Sequence, residues 1–280
     1  MASGSPTISS DVDLLAERFA AWRAAHHPVL IPYITAGYPA LGDTAGLLNT
    51  LVDAGADIIE LGVPFSDPVA DGPTIQRSSQ RALENGASLA WTLDVVRDFR
   101  ARRDTPVVLF TYLNPVLRYG VDRFVDRAVA AGTQGVLLTD LPVGADDAIE
   151  RRIEESPLAL IRLIAPTTTA DRARDIARRA QGFLYYIARM GVTGATVELR
   201  SALAQEIASL RAVTDVPVAV GFGISTPAQA ADVARVADGV VVGSALIDAL
   251  DRGGVDEVRR LIGGMRAAMD STTGQGQGRV

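Results

Sequence analysis

The sequence predicts an α/β fold, a (β/α)8 TIM barrel with an extra N-terminal helix, on three observations. Short apolar runs of strand type alternate with longer stretches rich in Ala, Leu, Arg, Asp and Glu of helix type. The strand-like runs carry no polar alternation, which marks strands covered on both faces. Eight such units fit within 280 residues, the number and length of a closed parallel barrel. A doubly wound open sheet is the alternative. Against it, no GxGxxG follows the first strand and no division into two halves is visible.

Residues 11–25 set Val12, Leu15, Phe19 and Trp22 at helical spacing, which predicts the extra helix. Strand-like runs follow at 29–35, 57–63, 106–112, 135–140, 158–165, 182–188, 217–223 and 239–244. Helix-like stretches lie at 43–54, 74–103 with a break near Asn85-Gly86, 121–131, 145–155, 169–180, 198–213, 227–236 and 255–269. Residues 1–280 read as one barrel domain. Residues 1–10 and 270–280 are expected to be disordered, the latter because the Gly/Gln-rich tail has no apolar anchor.

Composition removes several function classes. About half the chain is apolar (48%), ample for one sizeable core. The net charge is −6 with no basic block, so nucleic acid is not an expected partner. No apolar run approaches the roughly 20 residues of a membrane span. The start, MASGSPTISSDVD, lacks a basic segment and an apolar one, so no signal peptide is expected. Absence of cysteine agrees with a reducing cytoplasm. All 27 basic residues are arginine, so no lysine Schiff base can form and pyridoxal phosphate cannot be anchored covalently. The two histidines, His26 and His27, precede the first strand and so fall on the face opposite the chemistry; they read as a surface or packing pair, and no metal site is expected.

In such a barrel, chemistry collects where strands end and the loops to the next helix begin. Residues 57–72 stand out by this rule. Glu60 sits in an apolar strand, and a Gly/Pro/Asp-rich loop then delivers Asp67 and Asp71. A buried glutamate is unfavourable unless paired or used, so Glu60 is either a salt-bridge partner inside the barrel or a catalytic acid. Asp71, before Gly72-Pro73, is either a turn or capping residue or a site carboxylate. Tyr185 in the sixth strand and Arg189 just past it fall at the same face. Three late segments, Gly191-Val192-Thr193-Gly194-Ala195, Gly221-Phe222-Gly223-Ile224-Ser225 and Gly243-Ser244-Ala245, are glycine-rich at the ends of strands six, seven and eight. Glycines let backbone N–H groups approach an anion, and barrels place phosphate at loops seven and eight. Tight βα turns alone would also account for these glycines. Arg189 adds charge there or anchors its loop.

The segments ELGVPFSDPVADGPTIQ (60–76), TYLNPVLRYG (111–120), GVTGA (191–195), GFGIS (221–225) and VVVGSA (240–245) together resemble the tryptophan synthase alpha subunit family. The resemblance runs in order from about Asp11 to Met269, and its first segment is long and specific. It implies cleavage of indole-3-glycerol phosphate to indole and glyceraldehyde 3-phosphate, with Glu60 and Asp71 as the catalytic pair and Tyr185 lining the site. It carries the phosphate contacts to Gly194, Gly223, Gly243 and Ser244, and loop closure to Thr193. It implies no cofactor in this chain, and a pyridoxal-phosphate beta subunit as partner in an alpha-beta-beta-alpha heterotetramer. It turns Pro64 and Asp67 toward that partner, together with Asn114 on the loop after the third strand, where a plain loop serves equally well. Tyr112 and Phe222 fit either an indole-pocket wall or ordinary barrel packing. Three positions depart from the family pattern: Ala188 and Met190 stand where hydroxyl residues are usual, and Leu113 where a second aromatic is common.

The residue types suit the implied reaction. Breaking the bond between indole C3 and the glycerol carbon is a retro-aldol that needs C3 protonated, which puts positive charge on N1. A carboxylate near N1–H, the role for Asp71, stabilises that charge. A second carboxyl, Glu60 with its pKa raised by the strand, gives the C3 proton and takes the hydroxyl proton. Neither metal nor Schiff base is required. The competing readings are a stand-alone lyase releasing free indole, an inactive regulatory paralogue, and a different phosphate-binding barrel.

Overall fold

The computed structural model describes residues 13–188, 197–221 and 223–273. Branched and leucine-rich runs form eight parallel strands: β1 Val29–Thr35, β2 Ile59–Gly62, β3 Val107–Thr111, β4 Gly135–Leu138, β5 Ala159–Ile164, β6 Leu184–Ile187, β7 Val218–Gly221 and β8 Gly239–Val242. They pair in sequence order and β8 returns to β1, closing the barrel. The open-sheet alternative is thereby excluded. Nearly every strand residue is buried, because one face meets the barrel interior and the other meets helices.

The helices are α1 Leu14–Ala24, α2 Thr44–Asp53, α3 Pro73–Glu84, α4 Leu89–Arg100, α5 Leu113–Tyr119, α6 Val121–Ala130, α7 Asp147–Glu154, α8 Ala170–Arg178, α9 Val197–Arg211, α10 Pro227–Ala234 and α11 Ser244–Thr273. The break expected near Asn85-Gly86 separates α3 from α4. Two expectations change. Asn114 and Pro115 are not on a loop; they lie in the first turn of α5, where proline's missing N–H leaves no helix bond unmade. Residues 270–273 are helical, not disordered. Arg266 pairs with Asp270 at 2.5 Å, and Ser271 and Thr272 donate to carbonyls three residues back. Helix α11 also starts earlier than the 255–269 periodicity indicates, at Ser244, and bends at Gly253-Gly254. Residues 1–10 and 274–280 lie outside the described residues.

Two cores result. One fills the barrel, with Val29, Ile31, Ile58, Val108, Leu137, Ile161 and Phe183 among its members. Leu15 and Phe19 of α1 belong to this inner core, so the extra helix closes the barrel at the N-terminal ends of the strands. Asp13 fastens it there by accepting from Ala16 N at 3.0 Å and Gly182 N at 2.5 Å. The other core packs the outward strand residues against the helices. On the closed face, His27 Nε2 lies 2.8 Å from Asp57, which also accepts from Leu30 N at 2.8 Å and pairs with Arg266 at 3.0 Å. His27 is thus structural and its neighbour His26 is exposed.

One charged cluster lies between β5 and the helices. Arg162, 3% exposed, reaches Glu150 at 2.6 Å and Glu154 at 2.8 Å, and Arg179 meets Glu154 at 3.2 Å. Glu150, 0% exposed, also accepts from Gly144 N at 2.8 Å, so the same carboxylate fastens the loop after β4. Removing one member of such a cluster strands a buried charge. Arg162→Leu should therefore lower unfolding free energy by about 3–5 kcal/mol, measured as a drop in urea midpoint at unchanged m-value.

Candidate active site

The C-terminal ends of the strands bring Glu60, Asp71, Tyr185, Tyr33 and Tyr112 into one region. Glu60 is held in β2, which pairs with β1 and β3 on either side. Its side chain is buried, and Oε1 has no hydrogen-bond partner. A salt bridge therefore does not account for this glutamate. With no cation among the described residues to offset desolvation, burial pushes the carboxyl up to about 8. Glu60 thus keeps its proton at neutral pH.

Asp71 follows on the loop leaving β2. It is not the cap of α3: that position is Gly72, with no side-chain cap. Its backbone is fixed by Asp71 N donating to the Pro68 carbonyl at 3.0 Å and Gln76 Nε2 donating to its own carbonyl at 2.8 Å. The carboxylate accepts from the Tyr112 hydroxyl. Burial raises it to about 6, and the tyrosine bond opposes that rise. Asp71 therefore ionises below neutrality while Glu60 does not. Two carboxyl groups with separated protonation states are the arrangement that acid and base roles require.

Tyr112 resolves the choice between pocket wall and packing in an unexpected way. Its hydroxyl accepts from Ala70 N at 3.0 Å and donates to Asp71, while its ring lies 5.2 Å from Phe65. It ties the loop after β2 to β3. Helix α3, which continues from that loop, is tied to α11 by Thr74 Oγ1 donating to Asp248 at 3.3 Å and by the Arg77–Asp251 ion pair at 2.5 Å.

Two glycines make room for two buried tyrosines. A Cβ at Gly62 would lie 2.1 Å from the Tyr33 hydroxyl, and a Cβ at Gly221 would lie 2.2 Å from the Tyr185 hydroxyl. Gly221, read from the sequence as part of an anion loop, is thus also the slot for Tyr185. Both phenols are pushed up, chiefly by burial and further by the charge of Asp71, so both stay protonated. Tyr33 is a site residue that the sequence pattern does not single out. The available signal is the Tyr33–Thr35 pair in a strand otherwise apolar apart from proline.

Of the expected phosphate residues, Gly223 has φ +78°, in the left-handed region suited to glycine. Gly243 precedes α11, and its carbonyl accepts from Leu246 N at 2.8 Å, closing the first turn. Ser244 and Ala245 occupy that first turn, where backbone N–H groups have no helical partner. Gly194, Thr193, Arg189, Met190 and Phe222 lie outside the described residues. Of the expected partner-facing residues, Asp67 and Asn114 are exposed, but Pro64 is buried within the chain and so offers no surface. Among the described residues no group of three or more His, Cys, Asp or Glu could hold a metal, and no helix is long and apolar enough to cross a membrane.

A family model described as tryptophan synthase alpha chain matches residues 19–269. The tryptophan synthase alpha chain of Acidiphilium cryptum is 49% identical over 240 residues, 85% of this chain and 87% of that one. That of Geobacter sulfurreducens is 45% identical over 260 residues, 93% of this chain and 98% of that one. Among solved structures, tryptophan synthase subunit alpha from Legionella pneumophila superposes with a TM-score of 0.85 at 38% identity, covering 95% of this chain and 100% of that chain. A chain of Mycobacterium tuberculosis tryptophan synthase gives 0.84 at 39%, covering 91% and 98%.

The burial of Glu60 has a measurable consequence for stability. The folded chain holds this proton up to about pH 8, whereas an unfolded glutamate releases it near 4.5. Between those values the folded state binds more protons, so this residue's contribution falls as pH rises, by up to about 1.4 kcal/mol per pH unit. Glu60→Gln lacks that proton. The stability of the variant relative to the parent should increase steadily from about pH 5 to about pH 8, as read from urea unfolding at each pH.

Proposed function

The chain belongs to the tryptophan synthase alpha chain family, and on that premise we propose that Glu60 and Asp71 carry its chemistry. The enzyme is a carbon–carbon lyase of tryptophan biosynthesis, cleaving indole-3-glycerol phosphate to indole and glyceraldehyde 3-phosphate. The alpha reaction needs no cofactor; pyridoxal phosphate belongs to the beta subunit. The observation that carries the assignment is the pair of carboxyl groups held near 8 and near 6 on one strand and its following loop.

Glu60 starts protonated and gives its hydrogen to indole C3, which places positive charge on N1. Asp71, ionised, accepts the N1–H hydrogen bond and stabilises that charge where water is scarce. Glu60, now a carboxylate in an apolar setting, takes the proton from the glycerol hydroxyl. The C3–carbon bond breaks, its electrons return to the ring and neutralise N1, and the former alcohol carbon becomes the aldehyde. Glu60 ends protonated, ready for the next turnover. Tyr185 walls the site beside Glu60, and the phosphate rests on Gly194, Gly223, Gly243 and Ser244, with Thr193 and Arg189 closing over it. Phe222 walls the indole pocket.

Family members work with a beta subunit, and we assign this chain to an alpha-beta-beta-alpha heterotetramer in the cytoplasm. Support comes from the surface beside the site. Val69 is 85% exposed on the loop after β2 and Leu117 is 49% exposed on α5, near the exposed Asp67 and Asn114 in sequence. Apolar side chains on the elements that frame an active site suit a partner that receives a product as apolar as indole.

The assignment predicts a bell-shaped profile for kcat/KM against pH. Activity should fall below about 6, where Asp71 is protonated, and above about 8, where Glu60 loses its proton. Glu60→Gln should reduce indole formation by about 10²–10⁴-fold with glyceraldehyde 3-phosphate still bound, and Asp71→Asn should reduce it by about 10²–10³-fold. Steady-state indole release with and without a beta subunit, across pH, checks all three. A Glu60→Gln enzyme with parental activity would overturn the assignment.

A further inference from the structure

Strand β4 ends at Leu138, whose register partner on β3 is Thr111. One step further along both chains, Thr139 comes beside Tyr112. Alternation puts both side chains on the inner face, since Val108 and Leu137 of the same two strands belong to the inner core. The Thr139 and Tyr112 hydroxyls are hydrogen-bonded to each other. Tyr112 is in turn bonded to Asp71 and to Ala70 N, the latter at 3.0 Å. Thr139 is thus one side chain removed from the Asp71 carboxylate.

Counting hydrogens gives these bonds a direction. A phenol has one hydrogen and two lone pairs. Ala70 N can only donate, so it occupies one lone pair of Tyr112. The phenol hydrogen goes to the stronger acceptor, the Asp71 carboxylate, rather than to a hydroxyl. The second lone pair is left for the Thr139 hydrogen. Thr139 Oγ1 also lies 3.3 Å from the Thr111 carbonyl, but that carbonyl is already supplied by Thr139 N at 3.0 Å. The hydroxyl can therefore turn to Tyr112 and leave no backbone acceptor bare.

We infer that Thr139 is a positioning residue for Asp71: its hydroxyl fills the last acceptor position of the Tyr112 oxygen, which commits the phenol hydrogen to the Asp71 carboxylate. The inference rests on the reading of Asp71 as the carboxylate that meets the indole nitrogen, and it deepens that reading. Donors on a hydroxyl oxygen make its own hydrogen a better donor. Thr139 and Ala70 N therefore act together through Tyr112, holding Asp71 ionised and in one orientation as positive charge grows on N1.

Glu60 on β2, Tyr33 on β1 and Tyr185 on β6 share these surroundings, and all three keep their protons where Asp71 titrates. Asp67 on the same loop is exposed, and Asp140, next to Thr139, accepts from Leu113 N at 2.6 Å. A change confined to the Thr139 hydroxyl leaves each of these groups in place.

Thr139→Val removes the hydroxyl at nearly constant shape. Titration of the Asp71 carboxyl in the full chain can be followed by its infrared carbonyl band, assigned by the loss of that band in Asp71→Asn. In Thr139→Val it should move up by about half a pH unit. The acid limb of kcat/KM should move with it, a loss of about threefold at pH 5, while the basic limb set by Glu60 stays in place. Thr139→Ser keeps the hydroxyl and should titrate like the parent. In a Tyr112→Phe chain the route through the phenol is gone, so adding Thr139→Val should move the titration no further. A Thr139→Val chain that titrates like the parent would overturn the inference, as would an equal shift in the Tyr112→Phe background. If Thr139→Val does not fold, Thr139→Ala decides. The infrared titration needs no activity, so a shift in it together with an active Asp71→Asn enzyme would uphold the Thr139–Tyr112 link while rejecting Asp71 as the catalytic carboxylate.

Discussion

A single carboxyl group buried without a counter-ion sets the terms for the rest of this molecule. Ionising Glu60 inside the barrel costs more than the same event in water, since among the described residues no cation or donor reaches Oε1. The group therefore stays neutral and acidic at the pH where free glutamates are charged. Most of what surrounds it preserves that condition. Helix α1 closes the opposite end of the barrel with Leu15 and Phe19, which pack into its interior core. Gly62 and Gly221 clear space for two phenols that cannot ionise there and so add no charge.

The contrast with Glu150 shows that burial alone does not make a catalytic acid. Glu150 is as deeply buried as Glu60, but it meets Arg162 and two backbone N–H groups. It is a structural carboxylate on α7, where Arg162 of β5, Arg179 at the end of α8 and the loop before α7 supply partners. Glu60 lies inside the strands, where side chains from the barrel interior offer none. One fold thus puts two buried glutamates to opposite uses, and the difference lies in the element each occupies, Glu150 on helix α7 outside the barrel and Glu60 on strand β2. A residue on the inward face of a barrel strand can be approached only by other strands' inward residues and by whatever enters the mouth.

How much of this was legible in the sequence follows from the range of the interactions. The eight units were visible because apolar runs and helical stretches are local signals, and the strand limits at 29–35 coincide with β1. Glu60 and Asp71 were visible because a charged residue in an apolar strand and a carboxylate on a Gly/Pro loop contradict their surroundings. The helical placement of Asn114 and Pro115 was hidden by a proline in the first turn, where it is tolerated rather than disruptive. The helical character of residues 270–273 was hidden because α11 is held by the ion pair of Arg266 with Asp270 and by packing upstream rather than by local apolar pattern. The hydrogen-bonded hydroxyls of Tyr33, Thr35 and Ser78 span 43 positions of sequence at the Thr35–Ser78 step and are common types. Nothing in one segment announces the other; only the closure of β1 against α3 brings them together. Tyr112 was singled out, but its bond to Asp71 across the β2–β3 boundary is a tertiary fact of the same kind.

Asp71 marks where the fold yields control to something outside it. Glu60 is fixed by a strand in the sheet ladder, but Asp71 sits on a loop whose tip carries the exposed Val69 and Asp67. Its ionised form depends on one donor, the Tyr112 hydroxyl, against partial burial that opposes charge. Tyr112 also accepts from Ala70 N, so loop position and carboxylate stabilisation are one linked event rather than two. Anything that covers the tip of the loop and holds Ala70 against Tyr112 therefore also holds Asp71 where the indole nitrogen becomes positive. Covering it also removes water, which strengthens the attraction between that carboxylate and the developing charge. A protein surface docked on Val69 would supply both effects at once. A partner that consumes indole thus has a direct physical means of raising the rate at which indole is made.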